Sequence, residues 1–151
     1  MEICINLDEL ASLLHQALKF VYQFEQTKVL RFGLKYEGLY LLLHLEETPD
    51  CRIGDVAKEM KIPISTVSRI VDRLEKKGFL ARHKDDSDKR IIRLRLEPAG
   101  RDIAEEVKIY ASKVILNNIK GCSDKNLNAF LITAKSLSQI LNTSEDDEIG
   151  V

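Results

Sequence analysis

Between Ser65 and Gly78 the apolar residues Val67, Ile70, Val71 and Leu74 fall at i, i+3, i+4 and i+7. That spacing gathers them on one face of an α-helix. At about 100° per residue the opposite pole carries Ser65, Arg69, Asp72 and Lys76, flanked by Thr66, Ser68 and Arg73. Gly78 supplies a left-handed stop. Such a helix packs one side on a small core and leaves a pole of short hydroxyls and long cations facing outward. Hydroxyls can approach base edges and guanidinium groups bind guanine or phosphate, so this pole suits a helix lying in a DNA major groove. The plainer alternative is an ordinary solvated helix face.

The neighbours of this helix narrow the choice. Ile53 to Met60 reads as a preceding helix, with Gly54 at its cap and Val56, Ala57 and Met60 facing inward. Lys61-Ile62-Pro63 makes a tight turn, with Pro63 suited to a first helical position, where its missing N–H costs nothing. After Gly78, Phe79 to His83 and Ile91 to Leu96 read as two strands joined by the polar tip Lys84 to Arg90. The second run alternates at strand period, with Ile92, Leu94 and Leu96 on one face and Ile91, Arg93 and Arg95 on the other. Helix, turn, helix and charged hairpin make a winged helix-turn-helix. The chain as a whole therefore reads as mainly α with a small β-hairpin wing, flanked by N- and C-terminal dimerisation helices.

Upstream, a helix from about Lys35 to Leu45 is apolar nearly all round, which implies burial on most sides. Before it, a first helix begins at Asp8 and carries Leu10, Leu13, Leu14, Ala17, Leu18, Val21 and Phe24. It fades into a linker over Gln23 to Lys28, and Gly33 marks a break. Downstream, a fifth helix over about Ala99 to Lys120 spans roughly 33 Å and carries Ile103, Val107, Tyr110, Ala111 and Val114. After Gly121, Ser123 caps a sixth helix bearing Leu127, Phe130, Leu131, Ala134, Leu137 and Leu141. The expected division is a helical dimerisation region of residues 1–32 and 99–143, a DNA-binding lobe of 34–98, and an acidic tail of 144–151. The apolar stripes of the end helices are wider than a small winged core can cover. A second copy of the chain is the simplest cover; folding back within the monomer is the alternative.

Charge distribution points the same way. The formal net charge of −1 hides a segregation. From Arg52 to Arg101 there are 14 Lys and Arg against 8 Asp and Glu, a net of +6, and the rest of the chain carries 9 against 16, a net of −7. A basic middle between acidic ends is the electrostatic footprint of a nucleic-acid binder. Met1 to Asn6 has no basic n-region, and no apolar run approaches the length of a membrane span. Cys4, Cys51 and Cys122 are odd in number without paired spacing, which fits free thiols in a reducing cytoplasm. Cys4 has no basic neighbour to activate it, and Cys51 and Cys122 read as buried or inert thiols. His15, His44 and His83 lack metal-ligand spacing. With no nucleophile–base set, phosphate loop or metal cluster, neither an enzyme nor a cofactor is expected.

The residues together resemble the MarR/SlyA family of transcription regulators. The pieces that carry the resemblance are Asp55-Val56-Ala57, the run Thr66-Val67-Ser68-Arg69-Ile70-Val71-Asp72-Arg73-Leu74-Glu75-Lys76-Lys77-Gly78, the wing Asp85…Asp88-Lys89-Arg90, and Leu94…Leu96-Glu97-Pro98-Ala99-Gly100. Order and spacing agree from about Leu34 to Arg101. The resemblance implies a homodimer on an inverted-repeat operator in double-stranded DNA, probing the major groove with the fourth helix and a minor groove with the wing. It implies DNA contacts from Ser65, Thr66, Ser68 and Arg69, with Arg73 nearby. Asp88 would orient Arg90 in the minor groove, while Lys84 and Lys89 meet phosphates. Lys89 stands where the family often has Arg, so the charge is kept without the bidentate fork.

Alternatives stay open at three places. Arg90 could instead form a surface ion pair with Asp85, Asp86 or Asp88. Asp72, on the groove-facing pole, reads as a partner for Arg69, Arg73 or Lys76. Tyr22, Tyr36, Tyr40 and Tyr110 are candidates to line a pocket for a small-molecule effector between the dimer helices and the lobe; plain core aromatics are the alternative. The expected function is a repressor without catalysis, relieved by such a ligand. Its rival is a winged-helix protein-interaction module without specific DNA binding.

Overall fold

Asn6 starts the first helix of the computed structural model, which describes residues 6–142. Its Oδ1 accepts the backbone N–H groups of Asp8 (3.1 Å) and Glu9 (3.3 Å), satisfying donors that have no partner inside the helix. Asp8, expected as the cap, lies instead in the first turn, where a carboxylate favours the positive end of the helix dipole. The helix, α1, runs unbroken over Leu7–Phe32. The polar stretch at 23–28, expected as a linker, is helical. Lys28 is buried there with its ammonium 2.6 Å from Glu25 and over the Phe24 ring. Gly33, at φ +64, closes α1 in the left-handed region.

The remaining elements are α2 (Tyr36–Glu47), α3 (Ile53–Glu59), α4 (Ile64–Lys76), β1 (Leu80–Lys84), β2 (Ile92–Leu96), α5 (Pro98–Ile119) and α6 (Asp124–Ile140). Each begins or ends within a residue or two of its expectation, with three local corrections. Arg52, not Gly54, is the N-cap of α3. Pro63 sits at the N-cap of α4, one position before the first helical residue. Its carbonyl accepts from Thr66 (2.9 Å) and Val67 (3.2 Å), so the locked φ of proline still sets the start of the helix. The first strand starts at Leu80, because Phe79 N–H is taken by the carbonyl of Leu74 at the end of α4.

The core gathers the apolar faces read from the sequence. Leu39, Leu41, Leu42 and Leu45 come from α2, Val56 and Ala57 from α3, and Val67, Ile70, Val71 and Leu74 from α4. Leu80, Leu94 and Leu96 close it from the hairpin, and Ala104 and Val107 from α5. Each fully buried Leu, Ile or Val contributes on the order of 1.5–3 kcal/mol relative to exposure. This holds α4 by one face and leaves the other outward.

The strands pair antiparallel, Leu80 opposite Leu96 and Lys84 opposite Ile92. Sequence reasoning missed a third edge. Arg52 forms an isolated bridge with Arg93, and Leu94 N–H donates to the Cys51 carbonyl at 2.9 Å. The α2–α3 connection thus grips the base of the wing.

The described residues fall into two compact units that divide between Ile109 and Tyr110. The first holds everything from α1 to the front half of α5. In the second, Ser123 Oγ accepts from Asn126 N–H at 3.3 Å and caps α6 as expected. No residue of α6 is buried, and Phe130, Leu131 and Ile132 are more than half exposed. Of the two thiols expected as buried or inert, Cys51 is buried and Cys122 is exposed. Cys4 and the acidic tail of 144–151 lie outside the described residues.

Candidate nucleic-acid interface

The outward pole of α4 is built as its sequence period requires. Ser65, Thr66, Arg69 and Arg73 are exposed, and Ser68 is half-buried on the flank. Among the described residues neither Arg69 nor Arg73 has an ion-pair partner, so both guanidinium groups face solvent uncompensated. Asp72 does not pair with either of them, nor with Lys76. Its partner is Arg82 of β1, whose Nη2 lies 2.6 Å from Asp72 Oδ1. The same guanidinium reaches Glu75 Oε2 at 2.5 Å and the Ser68 carbonyl at 3.2 Å. Burial alone would lower the Arg82 pKa, but the Asp72 hydrogen bond and the Glu75 charge outweigh it and raise the value. Sequence spacing gave no hint of this contact, because its two sides come from different elements.

The wing tip is organised by two carboxylates. Asp88 Oδ1 accepts from the backbone N–H of Arg90 (3.0 Å) and from its Nε (3.1 Å), and Oδ2 accepts from Nη2 (3.3 Å). The Arg90 side-chain bond, then its backbone N–H, hold the Asp88 carboxyl below the usual carboxylate range. The Arg90 side chain remains 92% exposed, so this pairing with Asp88 orients the guanidinium without hiding it. Lys84 is exposed at the end of β1, and Lys89 Nζ lies 3.8 Å from Asp86 at the tip. The second carboxylate, Asp85, expected as part of the wing motif and as a possible surface partner of Arg90, is instead buried and pairs with Arg93. It accepts from Arg93 Nε and from the N–H groups of Ser87 (2.8 Å) and Asp88 (3.1 Å). The signal for it was present: an Asp followed by polar residues at a hairpin tip is the pattern of an Asx-turn.

Asp85 carries a pH prediction. The Arg93 hydrogen bond, followed by the two backbone donors, pushes its carboxyl down to about 2 from an ordinary 3.8. A depressed folded value means that the ionised form favours the closed tip fully above the ordinary value. That contribution fades as pH falls from there through about 2. A carboxyl-detected NMR titration should place the Asp85 midpoint near 2. A midpoint at the unperturbed value would mean the Arg93 contact is not formed in solution.

Below the tip, Asp50 ties the hairpin to the α2–α3 connection. Its carbonyl accepts from Arg93 Nη1 at 2.7 Å, and its Oδ1 lies 2.5 Å from His83 Nε2 and 3.1 Å from Arg95 Nη2. Asp50 adopts φ +64 to do so, a conformation that Asp tolerates better than most residues. Cys51, next to it, is buried, and that burial pushes its thiol pKa up, away from reactivity.

Two of the four tyrosines meet at one cavity. Tyr22 and Tyr36 line a cavity of about 490 Å³ between α1 and α2, together with Leu18, Val21, Glu25 and Lys35. Tyr40 lies beside Tyr36, with ring centroids 6.4 Å apart, but its own ring stacks on His44 and its hydroxyl reaches Glu59. Tyr110 opens the second unit and is not among the cavity's lining residues. No group of three or more potential metal ligands occurs among the described residues, and none of their helices is long and apolar enough to cross a membrane.

Known proteins bear on this geometry. The family model described as MarR family matches residues 37–92, from α2 to the wing. The HTH-type transcriptional repressor MdtR of Bacillus subtilis is 30% identical over 144 residues, which cover 91% of this chain and 92% of that protein. A MarR family protein structure from Bacillus stearothermophilus superposes with a TM-score of 0.82 at 25% identity, covering 93% of this chain and all of that one. Streptococcus pneumoniae FabT, solved in complex with DNA, shares the fold at a TM-score of 0.76 and 22% identity, covering 90% of this chain and 97% of FabT.

Proposed function

Because the chain belongs to the MarR family, we propose that it is a non-catalytic transcription regulator that binds double-stranded DNA in the cytoplasm, as a homodimer on an inverted-repeat operator. The observation that carries this reading is the uncompensated outward pole of α4. Ser65, Thr66, Arg69 and Arg73 are offered to a groove, and Arg90 is aimed from the wing by Asp88. Ser65, Thr66, Ser68 and Arg69 meet base edges and phosphates, Arg90 enters a minor groove, and Lys84 and Lys89 meet the backbone. A narrow minor groove concentrates negative potential and attracts such an Arg. The relative named a repressor favours repression over activation.

Dimerisation rests on exposed apolar surface. Leu13, Leu18, Phe20 and Val21 of α1 are more than half exposed, as are Phe130, Leu131 and Ile132 of α6. A patch of this kind on helices that flank a finished core marks an interface. Residues 1–32 and 99–143 then form the dimerisation region and 34–98 the DNA-binding lobe. A dimer brings two recognition helices to half-sites about 34 Å apart, one DNA turn. A ligand in the cavity lined by Tyr22 and Tyr36 relieves repression if it binds better to a dimer with another spacing.

Selection of the purified protein on random duplexes at two salt concentrations tests the whole reading. The expected result is an inverted repeat with half-sites one turn apart and affinity that falls steeply with salt. No enrichment, or salt-insensitive binding, would favour a protein partner for the winged helix. Phe130→Glu separates the two layers. It should yield a monomer by sedimentation and lose affinity for the full operator, while a dimer unchanged by that charge would place the interface elsewhere.

A further inference from the structure

Arg82 is not on the groove-facing pole, yet it is the most heavily bonded side chain between the wing and α4. Its Nη2 donates to Asp72 Oδ1 and the Ser68 carbonyl, and its Nη1 to Glu75 Oε2. Its backbone N–H donates to Glu75 Oε1 at 3.1 Å. Ser68, Asp72 and Glu75 stand at i, i+4 and i+7, one flank of α4. A single planar fork therefore grips successive turns of the helix. Its own backbone lies in β1, paired with Leu94 of β2, so the grip passes directly into the hairpin. On the other side the hairpin is held by Asp50 through His83, Arg93 and Arg95. The Arg82 contact is the side-chain strut that fixes the wing to the recognition helix itself.

We propose that Arg82 is a positioning residue for DNA binding: through Ser68, Asp72 and Glu75 it sets the angle between wing and α4 at which Arg90 and Arg69 reach their two grooves together. This rests on the DNA-binding reading above. The strut has a second effect. Asp72 is about half exposed on the outward pole, where a bare carboxylate would repel phosphate, and the Arg82 guanidinium neutralises it in place. Lysine cannot substitute. An ammonium is a point charge on a flexible stem, without the planar fork that bridges two carboxylates and a carbonyl at once.

A double-mutant cycle on the selected duplex distinguishes positioning from plain stabilisation. Arg90→Gln alone and Arg82→Lys alone should each lower affinity about tenfold, within the range for a single specific contact. The double variant should fall no more than about threefold below the weaker single, because a wing at the wrong angle no longer delivers Arg90. If the two losses multiply, Arg82 does not act through the wing and the proposal fails. Glu75→Gln weakens the strut from the helix side and should show the same coupling to Arg90, which covers the case in which the Arg82 variant does not fold. Residual dipolar couplings of the free protein give a readout without DNA. Arg82→Lys should rotate the hairpin amides relative to those of α4 while each element keeps its internal structure. Unchanged relative orientation would overturn the proposal even if the duplex is bound. Loss of all duplex binding by the wild-type protein, with the rotation present, would overturn the DNA reading instead.

Discussion

Replacing Arg69 and Arg90 together by Gln should lower affinity for the selected duplex by at least about a hundredfold, with the fold intact. Both side chains lie on the surface, and neither contributes to the core. A specific Arg contact is worth about 1–3 kcal/mol, and tenfold in affinity is about 1.4 kcal/mol. Two such contacts per half-site reach a hundredfold without invoking anything else. The dependence on salt separates their roles. Removing an arginine from a phosphate flattens the slope of log affinity against log salt by about one unit. Removing one from a base edge weakens binding at every salt and relaxes preference at one position. Arg69, near the N-terminal half of α4, should behave as the base or phosphate reader of the major groove. Arg90, pre-oriented by Asp88, should affect the preference for narrow A·T-rich minor groove. Asp88→Ala is the control within the wing. It leaves Arg90 charged but unaimed, so it should cost several-fold while the salt slope stays near wild type. Full affinity in the double Gln variant would remove both residues from the interface.

The parts of this interface that sequence showed and those it hid differ in a physical way. The outward pole of α4 was legible because a helix maps spacing onto direction: once Val67, Ile70, Val71 and Leu74 are inside, Ser65 and Arg69 are outside. The strands were legible for the same reason at period 2. The length of α1 was hidden because polar residues at 23–28 broke the apolar stripe. There a buried Lys28 continues the packing with its ammonium tied to Glu25, and a pattern that scores only apolar residues cannot register a lysine whose stem does the packing. The wing's anchors were hidden for a different reason. Asp50, Asp85 and Arg82 act across elements, 45 residues apart in the case of Asp50 and Arg95, and charge pairing over such separations has no period. Asp72 shows the cost of reading one helix alone. Its helical neighbours offered three cations, and the partner came from the strand. Residue type alone could not say which tyrosines share a cavity: Tyr22 and Tyr36 do, while the Tyr40 ring stacks on His44.

Gly100→Ala should be the most destabilising Gly→Ala change among the described glycines, by about 3 kcal/mol or more. Pro98 opens α5 in a position that costs no hydrogen bond, and the helix then lies directly on Phe79, in the connection between α4 and β1. A Cβ at Gly100 would sit 1.9 Å from the Phe79 carbonyl oxygen and 2.8 Å from its carbonyl carbon. Backbone atoms cannot swing aside as a side chain does, so α5 or the α4–β1 connection has to move. That carbonyl also accepts the Glu97 N–H at 3.0 Å, which pins the end of β2 to the start of β1. Displacing it loosens the hairpin base and withdraws Ala104 and Val107 from the core, where both are buried. Overpacking commonly costs about 1–3 kcal/mol, and a backbone clash belongs at or above the top of that range. For a chain of this length that corresponds to a fall in Tm of roughly 10 °C. Ala99→Ser, one residue earlier and exposed, should change Tm by little and serves as the control for helix propensity. A Gly100→Ala protein that melts with wild type would mean that α5 does not rest on Phe79. Should it remain folded, its affinity for duplex ought to fall more than its stability alone requires, because the same contact sets where the wing begins.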